Sequence, residues 1–334
     1  MGDHSPAPDR IVELVETGSD EARPALERLA DAPAAERNET LRTLRALADE
    51  RASPLSELLP AVAPFLTDDE RSVRLATAKL FVAVAETDPE AAVPTVQPLA
   101  DRLADDDEFY YVRARSAEAL GYVALERPDA VASPDLLADL RVGLAFDEPE
   151  VREKLAKALE FVALGDPERL RHQVPRLAER LDDENDLVRY HLSTALVAVG
   201  CADPDRLADA AAELDSRLDD SNSFVRGRAA EALGLLGAAD ADAPVPTGRI
   251  AELTDDEAAF AADRARFAAS VRDDGGTGGD PDEAGIGSLD GVREATATAI
   301  EELTAPDAEG ECPHCGLELP ESGSPMCPRC GAPR

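Results

Sequence analysis

Large aromatic side chains and lysine are scarce in this chain. Tryptophan is absent, aromatic residues make up 4% of the 334 positions, and lysine occurs only at Lys79, Lys154 and Lys157. A composition poor in aromatics and dominated by alanine and leucine suits thin helical layers better than a β-sandwich. We therefore expect an all-α protein.

Long apolar runs are also missing. The N-terminal stretch, MGDHSPAPDR, is polar and proline-rich, and the longest apolar run is the stretch 80–85. A helix that crosses a membrane needs about 20 mostly apolar residues, and a secretory signal needs an apolar core. The sequence thus predicts a cytoplasmic protein with no membrane partner.

Positive charge is in short supply as well, and the formal net charge is −36. Two explanations stay open: a halophilic protein whose dispersed carboxylates keep it soluble in multimolar salt, or an acidic protein that binds a basic partner. The acidic residues are spread along the whole chain, which favours the first explanation. Because phosphate binding needs a basic surface, no direct nucleic-acid ligand is expected.

A repeated phrase organises most of the chain. A leucine ends one helix, an acidic turn follows, and a Val-Arg pair opens a second helix. The valines of these pairs are 37 to 39 residues apart: Val73, Val112, Val151, Val188 and Val225. A period near 40 with two helices per unit is typical of an α-solenoid, in which each repeat packs only on its neighbours.

Apolar residues within each repeat follow a helical count. After Val188 they stand 4, 7, 8 and 11 positions on, which places one apolar stripe on a helix face. An aspartate precedes the arginine of each pair by six residues, or by five in one repeat. These aspartates are Asp68, Asp107, Asp147, Asp183 and Asp220.

This pattern resembles the HEAT-repeat family, including the HEAT-like repeats first noted in phycobilisome lyases. The resemblance implies an α-α superhelix over residues 20–272, preceded by an N-terminal segment, 1–19. It also implies a ladder of turn aspartates and second-helix arginines, and a groove that takes a protein or peptide partner.

The chain changes character after the repeats. Residues 273–288 are rich in glycine and aspartate and are predicted to be a flexible linker. An amphipathic helix is predicted over 289–305, with Leu289, Val292, Ile300 and Leu303 on one face. This helix either docks on its own protein or binds a partner or a second copy.

The last segment, 306–334, contains two Cys-Pro-x-Cys-Gly motifs. Their four cysteines, Cys312, Cys315, Cys327 and Cys330, have the spacing of a tetrahedral metal site. The segment resembles a short zinc ribbon holding one structural Zn²⁺, with a rubredoxin-like iron site as the rival. Four thiolates leave no open position on the metal, so catalysis there is not expected.

These features favour a non-enzymatic scaffold or adaptor, with a protein or peptide in the groove and the tethered zinc ribbon as a second contact. We predict no catalytic residue and no cofactor besides zinc, since His172 and His191 stand singly on predicted helices and Cys201 has no His-Asp pairing nearby in the sequence. Two alternatives remain: an accessory or lyase-like subunit of an enzyme complex, and a transcription- or translation-associated adaptor that docks through its ribbon.

Overall fold

A computed structural model of the chain describes residues 8–131, 133–239, 243–273 and 285–303, together with Cys327. Every regular element in these residues is a helix, as the composition predicts. The helices form two compact units. Unit 1 comprises Met1–Phe146 and Lys154–Asp166, and unit 2 comprises Asp147–Glu153 and Pro167–Arg334.

Unit 1 alternates short first helices with long second helices. Its helices are α1 (Pro8–Glu16), α2 (Ala22–Leu29), α3 (Ala34–Glu50), α4 (Leu59–Val62), α5 (Arg71–Thr87), α6 (Pro89–Ala92), α7 (Val96–Ala104), α8 (Tyr110–Glu126) and α9 (Pro134–Val142). The next helix, α10 (Pro149–Gly165), contributes residues to both units.

Unit 2 continues the alternation and then adds one further helix. It contains α11 (Val174–Ala178), α12 (Asp186–Ala202), α13 (Ala211–Arg217), α14 (Ser223–Ala239), α15 (Thr247–Leu253), α16 (Ala259–Asp273) and α17 (Leu289–Leu303). The second helices α5, α8, α10, α12 and α14 are each 17 residues long.

The first helices are more broken than the sequence predicts. The repeat pattern predicts one first helix over about 55–66 and one over about 91–104, whereas the structure divides each of these stretches between 3₁₀ turns and short α-helices. Pro60, Pro64 and Pro94 lie at the first positions of such pieces. Proline lacks a backbone N–H and clashes with the preceding turn, so it starts a helical segment but does not continue one.

The predicted apolar stripe of the second helices is confirmed. The residues 4, 7, 8 and 11 positions after each anchor valine are at most 2% exposed in the three repeats compared. They are Leu155, Ala158, Leu159, Val162, Leu192, Ala195, Leu196, Val199, Ala229, Ala232, Leu233 and Leu236.

Neighbouring second helices approach very closely at glycines, and Gly234 is an example. A Cβ on Gly234 of α14 would lie 2.7 Å from the Cα of Ala268 in α16. No side chain fits in that gap, so a glycine on one helix facing an alanine on the next sets the distance between the helices.

The acidic turns connect successive repeats through the arginine of each anchor pair. In unit 2, the Nη1 of Arg189 donates to the backbone carbonyl of Asp183 in its own turn at 2.9 Å. Its Nε and Nη2 donate to the carboxylate of Asp220 in the next turn, both at 2.8 Å. Arg152 with Asp183 and Arg226 with Asp256 repeat the second contact, and the expected ladder is therefore confirmed in this unit.

Asp183 and Asp220 also stabilise their own turns. The Oδ1 of Asp183 accepts the backbone N–H of Asn185 at 2.9 Å, and Asp220 does the same for Asn222 at 3.0 Å. One carboxylate thus fixes the local backbone and receives the arginine of the preceding repeat, which explains why aspartate recurs at this position.

The prediction that Asp107 belongs to the ladder is wrong. Asp107 is exposed, and the carboxylate that receives Arg74 in this turn is Glu108, at 2.8 Å. The connection before α8 is two residues longer than in the other repeats, which shifts the acceptor by one position. Arg113 instead donates to the carbonyl of Leu103 and lies over the ring of Phe146.

None of the helices in the described part of the chain combines the length and the apolar character that a membrane crossing requires.

Candidate functional site

A second stripe of side chains runs along the second helices and contains residue types that are scarce in this protein. We define the second-helix face as the residues 3, 6 and 10 positions after each anchor valine. All three lysines of the chain, Lys79, Lys154 and Lys157, lie on it. The stripe is separate from the apolar seam, because these offsets point to a different side of an α-helix.

A buried carboxylate is the centre of this face in unit 1. Glu118 of α8 is 4% exposed and receives three cations. Arg115 contacts it at 2.6 Å, and the Nζ atoms of Lys154 and Lys157 each lie 3.3 Å away. Burial alone would raise the pKa of Glu118, but these cations outweigh burial and hold the pKa well below its ordinary value.

Two aromatic rings border this charged group. Tyr122 and Phe161 pack with their ring centroids 5.0 Å apart. The Nζ of Lys157 lies 4.6 Å from the Tyr122 centroid and 5.4 Å from that of Phe161. The Tyr122 hydroxyl donates to Glu86 at 2.7 Å. Burial, followed by the charges of Glu118 and Glu86, raises the pKa of Tyr122 above its ordinary value, so it stays a neutral phenol.

Unit 2 has a comparable charged group at the corresponding positions. Arg228 and Glu231 of α14 are 0% and 1% exposed, and they pair at 2.8 Å. Arg264 of α16 donates to the same Glu231 oxygen at 3.1 Å, and its guanidinium lies 3.3 Å over the ring of Phe260. Burial and the nearby charge of Arg228 lower the pKa of Arg264 to about 10.

Sequence reasoning missed both charged groups, because it assigned arginine only to the ladder. The signal was nevertheless present. An Arg-x-x-Glu pair stands 3 and 6 positions after the anchor in two repeats, as Arg115 with Glu118 and Arg228 with Glu231. Residues three apart on a helix are neighbours, so a pair of opposite charges that recurs at this spacing in two repeats indicates an equivalent ion pair in each.

The two histidines and the cysteine considered above, His172, His191 and Cys201, lie in surroundings that do not form a catalytic site. His191 is buried beside Tyr190, with ring centroids 5.8 Å apart, and His172 is exposed and accepts a hydrogen bond from Arg171. Burial and the charge of Glu231 raise the pKa of the Cys201 thiol to about 12. A thiol with such a pKa stays protonated at neutral pH, which disfavours a nucleophilic role.

The predicted metal ligands fall mostly outside the described residues. Cys312, Cys315 and Cys330 lie there, whereas Cys327 is described and is 2% exposed. A donor set of four thiols suits a closed structural zinc site, and burial of one of the thiols is compatible with such a site. The zinc ribbon stays a prediction.

Comparison with known proteins identifies the repeats. Residues 96–197 match the family described as HEAT repeats. These residues therefore contain HEAT repeats. The match spans the second helices α8, α10 and most of α12, and the same ladder continues beyond the matched residues to Asp256. No curated protein matches the chain.

Solved structures agree with this fold. A crystal structure of an engineered protein is 21% identical, with a TM-score of 0.56 over 64% of this chain and 96% of that one. A designed armadillo repeat protein in complex with the peptide (KR)4 is 20% identical, with a TM-score of 0.56 over 64% and 98%. A set of computationally designed armadillo repeat proteins for modular peptide recognition is 18% identical, with a TM-score of 0.53 over 69% and 99%. At these identities the likeness concerns the fold, which is a HEAT- and armadillo-like α-α superhelix.

Proposed function

We propose that this HEAT-repeat protein is a non-enzymatic scaffold that binds a protein or peptide on its second-helix face. The observation that carries this proposal is the concentration of scarce residue types on that face. In a chain with three lysines and few aromatics, Lys154, Lys157, Tyr122 and Phe161 lie together around Glu118.

Burying these charged side chains is unfavourable for the free energy of folding, and a binding function would account for their presence. Cations and a carboxylate that are withdrawn from water lose hydration, and apolar side chains in their place would often be as stable or more stable. Lysine and tyrosine at the edge of the group keep apolar carbon and a polar tip within reach of a partner, as side chains at protein interfaces do. Tyr122, Lys157 and Phe161 are half-buried and therefore available for contact.

Two of the similar structures support a peptide or protein as the partner, since they are designed armadillo repeat proteins described as bound to a peptide or intended for peptide recognition. Repeat proteins of this architecture offer long continuous surfaces built from equivalent positions of successive repeats.

The predicted zinc ribbon gives the scaffold a second contact. Residues 306–334 follow α17 in the same chain, and a module attached in this way raises its own effective concentration near the first site. We infer bivalent capture, with the ribbon and the second-helix face engaging one assembly. An adaptor that docks through the ribbon alone is the second candidate, favoured by the two Cys-Pro-x-Cys-Gly motifs.

Affinity purification of the full chain from its host, in native high salt, tests the proposal. A Tyr122→Ala, Phe161→Ala double variant should lose the co-purifying partner, because both rings border the charged group. Gln97→Ala, at an exposed position on first helix α7, is the matched control and should retain it. If the double variant retains the partner as the control does, the proposal is contradicted.

A Cys327→Ser variant separates the two candidates. Weaker but persistent capture supports the bivalent scaffold. Complete loss in Cys327→Ser, with full retention in the double variant, would assign binding to the ribbon.

A further inference from the structure

The segment Gly285–Leu303, called here the C-terminal segment, covers the second-helix face of unit 2. Helix α17 packs against α12, and its Val292, Thr296 and Ala299 are buried. Every residue of α12 from Leu187 to Gly200 is buried. A second helix at the surface of a solenoid has one face against its first helix and another facing outward, and here the outward side is covered as well.

Apolar contacts account for one part of this packing. Ala299 forms a buried cluster with Tyr190 of α12 and Val225 of α14. Ile300 and Leu303 pack against the same cluster, as do Phe224 and Phe260 from the repeats. The buried positions 292, 296, 299 and the half-buried 303 recur every three or four residues, so α17 presents one stripe to the repeats.

Arg228 supplies the first polar contact. Its Nη2 donates to the hydroxyl of Thr296 at 2.9 Å and to the backbone carbonyl of Val292 at 3.3 Å. Thr296 in turn donates to the same carbonyl at 2.7 Å. The fully buried guanidinium of Arg228 therefore donates hydrogen bonds to a hydroxyl and a carbonyl on the helix that covers it.

Glu231 supplies the second polar contact, at the turn that precedes α17. Its Oε1 accepts the backbone N–H of Gly287 at 3.0 Å. Gly287 has a φ of +81°, and a Cβ on it would clash with the ring of Phe267. Glycine is therefore required there both by the backbone conformation and by the space.

We propose that the face formed by α12, α14 and α16 is a receptor for an amphipathic helix, and that the C-terminal segment is its resident, displaceable occupant. The partner is a protein with a helix of the same pattern: a preceding glycine, a threonine opposite Arg228, and small apolar residues beside Tyr190. This inference rests on the proposed scaffold function and specifies the occupant for the unit 2 part of the face.

The chemistry of the contact supports displacement. The C-terminal segment buries one large side chain, Ile286, before the helix begins. The side chains that α17 itself buries fully are small, namely Val292, Thr296 and Ala299, and a helix of this length is marginal on its own. Its occupancy depends on covalent attachment, which acts as a high effective concentration. A partner helix with the same stripe forms the same hydrogen bonds to Arg228 and Glu231, and so competes directly.

The test measures binding of a fluorescein-labelled peptide of residues 285–303 to three full-length chains by fluorescence anisotropy. Ala299→Asp places a charge in the buried cluster and should release the resident helix. Ala297→Asp makes the same change two residues away, at an exposed position of the same helix. The peptide should bind the Ala299→Asp chain roughly tenfold or more tightly than the wild-type or Ala297→Asp chains, because competition by the attached segment is removed.

A second releasing variant, Gly287→Ala, keeps the test decisive if Ala299→Asp disturbs folding. It changes only the docked turn and should also increase peptide binding. Adding Arg228→Gln to either variant should abolish the gain. Equal binding by all chains, with helical content intact, would overturn the inference, as would a wild-type dimer that exchanges its C-terminal helices. If this inference fails, the Tyr122→Ala, Phe161→Ala variant should still lose its partner. The two proposals are therefore tested separately.

Discussion

Replacing Asp220 with alanine should be one of the most damaging single changes in the repeat array. Its carboxylate accepts Nε and Nη2 of Arg189, both at 2.8 Å, and the backbone N–H of Asn222 at 3.0 Å. The two charged side chains are 2% and 9% exposed. The change removes the carboxylate of a buried ion pair and leaves the guanidinium of Arg189 without its partner.

The magnitude follows from that burial. Breaking a buried ion pair by removing one partner costs about 3–5 kcal/mol, because the remaining charge is desolvated without compensation. Asp220→Asn keeps an acceptor for Asn222 and a neutral hydrogen bond to Arg189, so about half of that cost is expected. Glu179→Ala is the control: Glu179 also pairs with an arginine, but the side chains are 57% and 61% exposed, and such pairs contribute about 0–1 kcal/mol.

Urea unfolding of the full chain, followed by circular dichroism, gives the three free-energy differences. Hydrogen exchange adds the location, since repeats are coupled mainly to their neighbours. Exchange should accelerate most in α12 and α14 and least in α3. A cost for Asp220→Ala as small as that for Glu179→Ala would refute the claim that the ladder stabilises the array.

Three further predictions concern pH, metal and salt. Glu118 has a folded pKa well below its ordinary 4.5, so its ion pairs stabilise the fold above that value and this stability is lost as pH falls through the folded pKa; wild type should lose more stability than Glu118→Gln on acidification from about pH 6 to about pH 3 in urea titrations. Freshly purified protein should hold about one zinc per chain by elemental analysis, and Cys327→Ser should release it while the helical signal persists; iron in place of zinc would favour the rubredoxin-like rival. The melting temperature should rise from dilute buffer to molar KCl, because salt screens repulsion among the carboxylates that give a net charge of −36; a flat or falling curve would favour a basic partner instead.

Periodicity was enough to predict the helical repeats and their buried seam. Leu192, Leu196 and Val199 occupy positions that only an α-helix brings to one side, and the structure buries all three. The ladder followed from the recurrent aspartate and arginine. Its failure at Asp107 came from a longer turn, which a fixed offset does not anticipate.

The charged groups of the second-helix face could not be predicted in the same way. Arg228 and Glu231 read as an ordinary solvated pair on a helix, because their burial depends on a segment about 60 residues further along the chain. Local sequence leaves open whether an amphipathic helix docks on its own protein or on another. Here α17 packs on α12, and Gly287, which composition places in the linker, is held by Glu231.

Photo-crosslinking in the host lysate tests the central claim most directly. A benzophenone amino acid placed at Phe161, on the second-helix face, should give a crosslink to one discrete protein partner, identified by mass spectrometry. The same probe at Gln97, which is exposed on first helix α7, should give none. Crosslinking of the same partner from Gln97 alone, or equally from both positions, would contradict the assignment of the second-helix face as the binding surface.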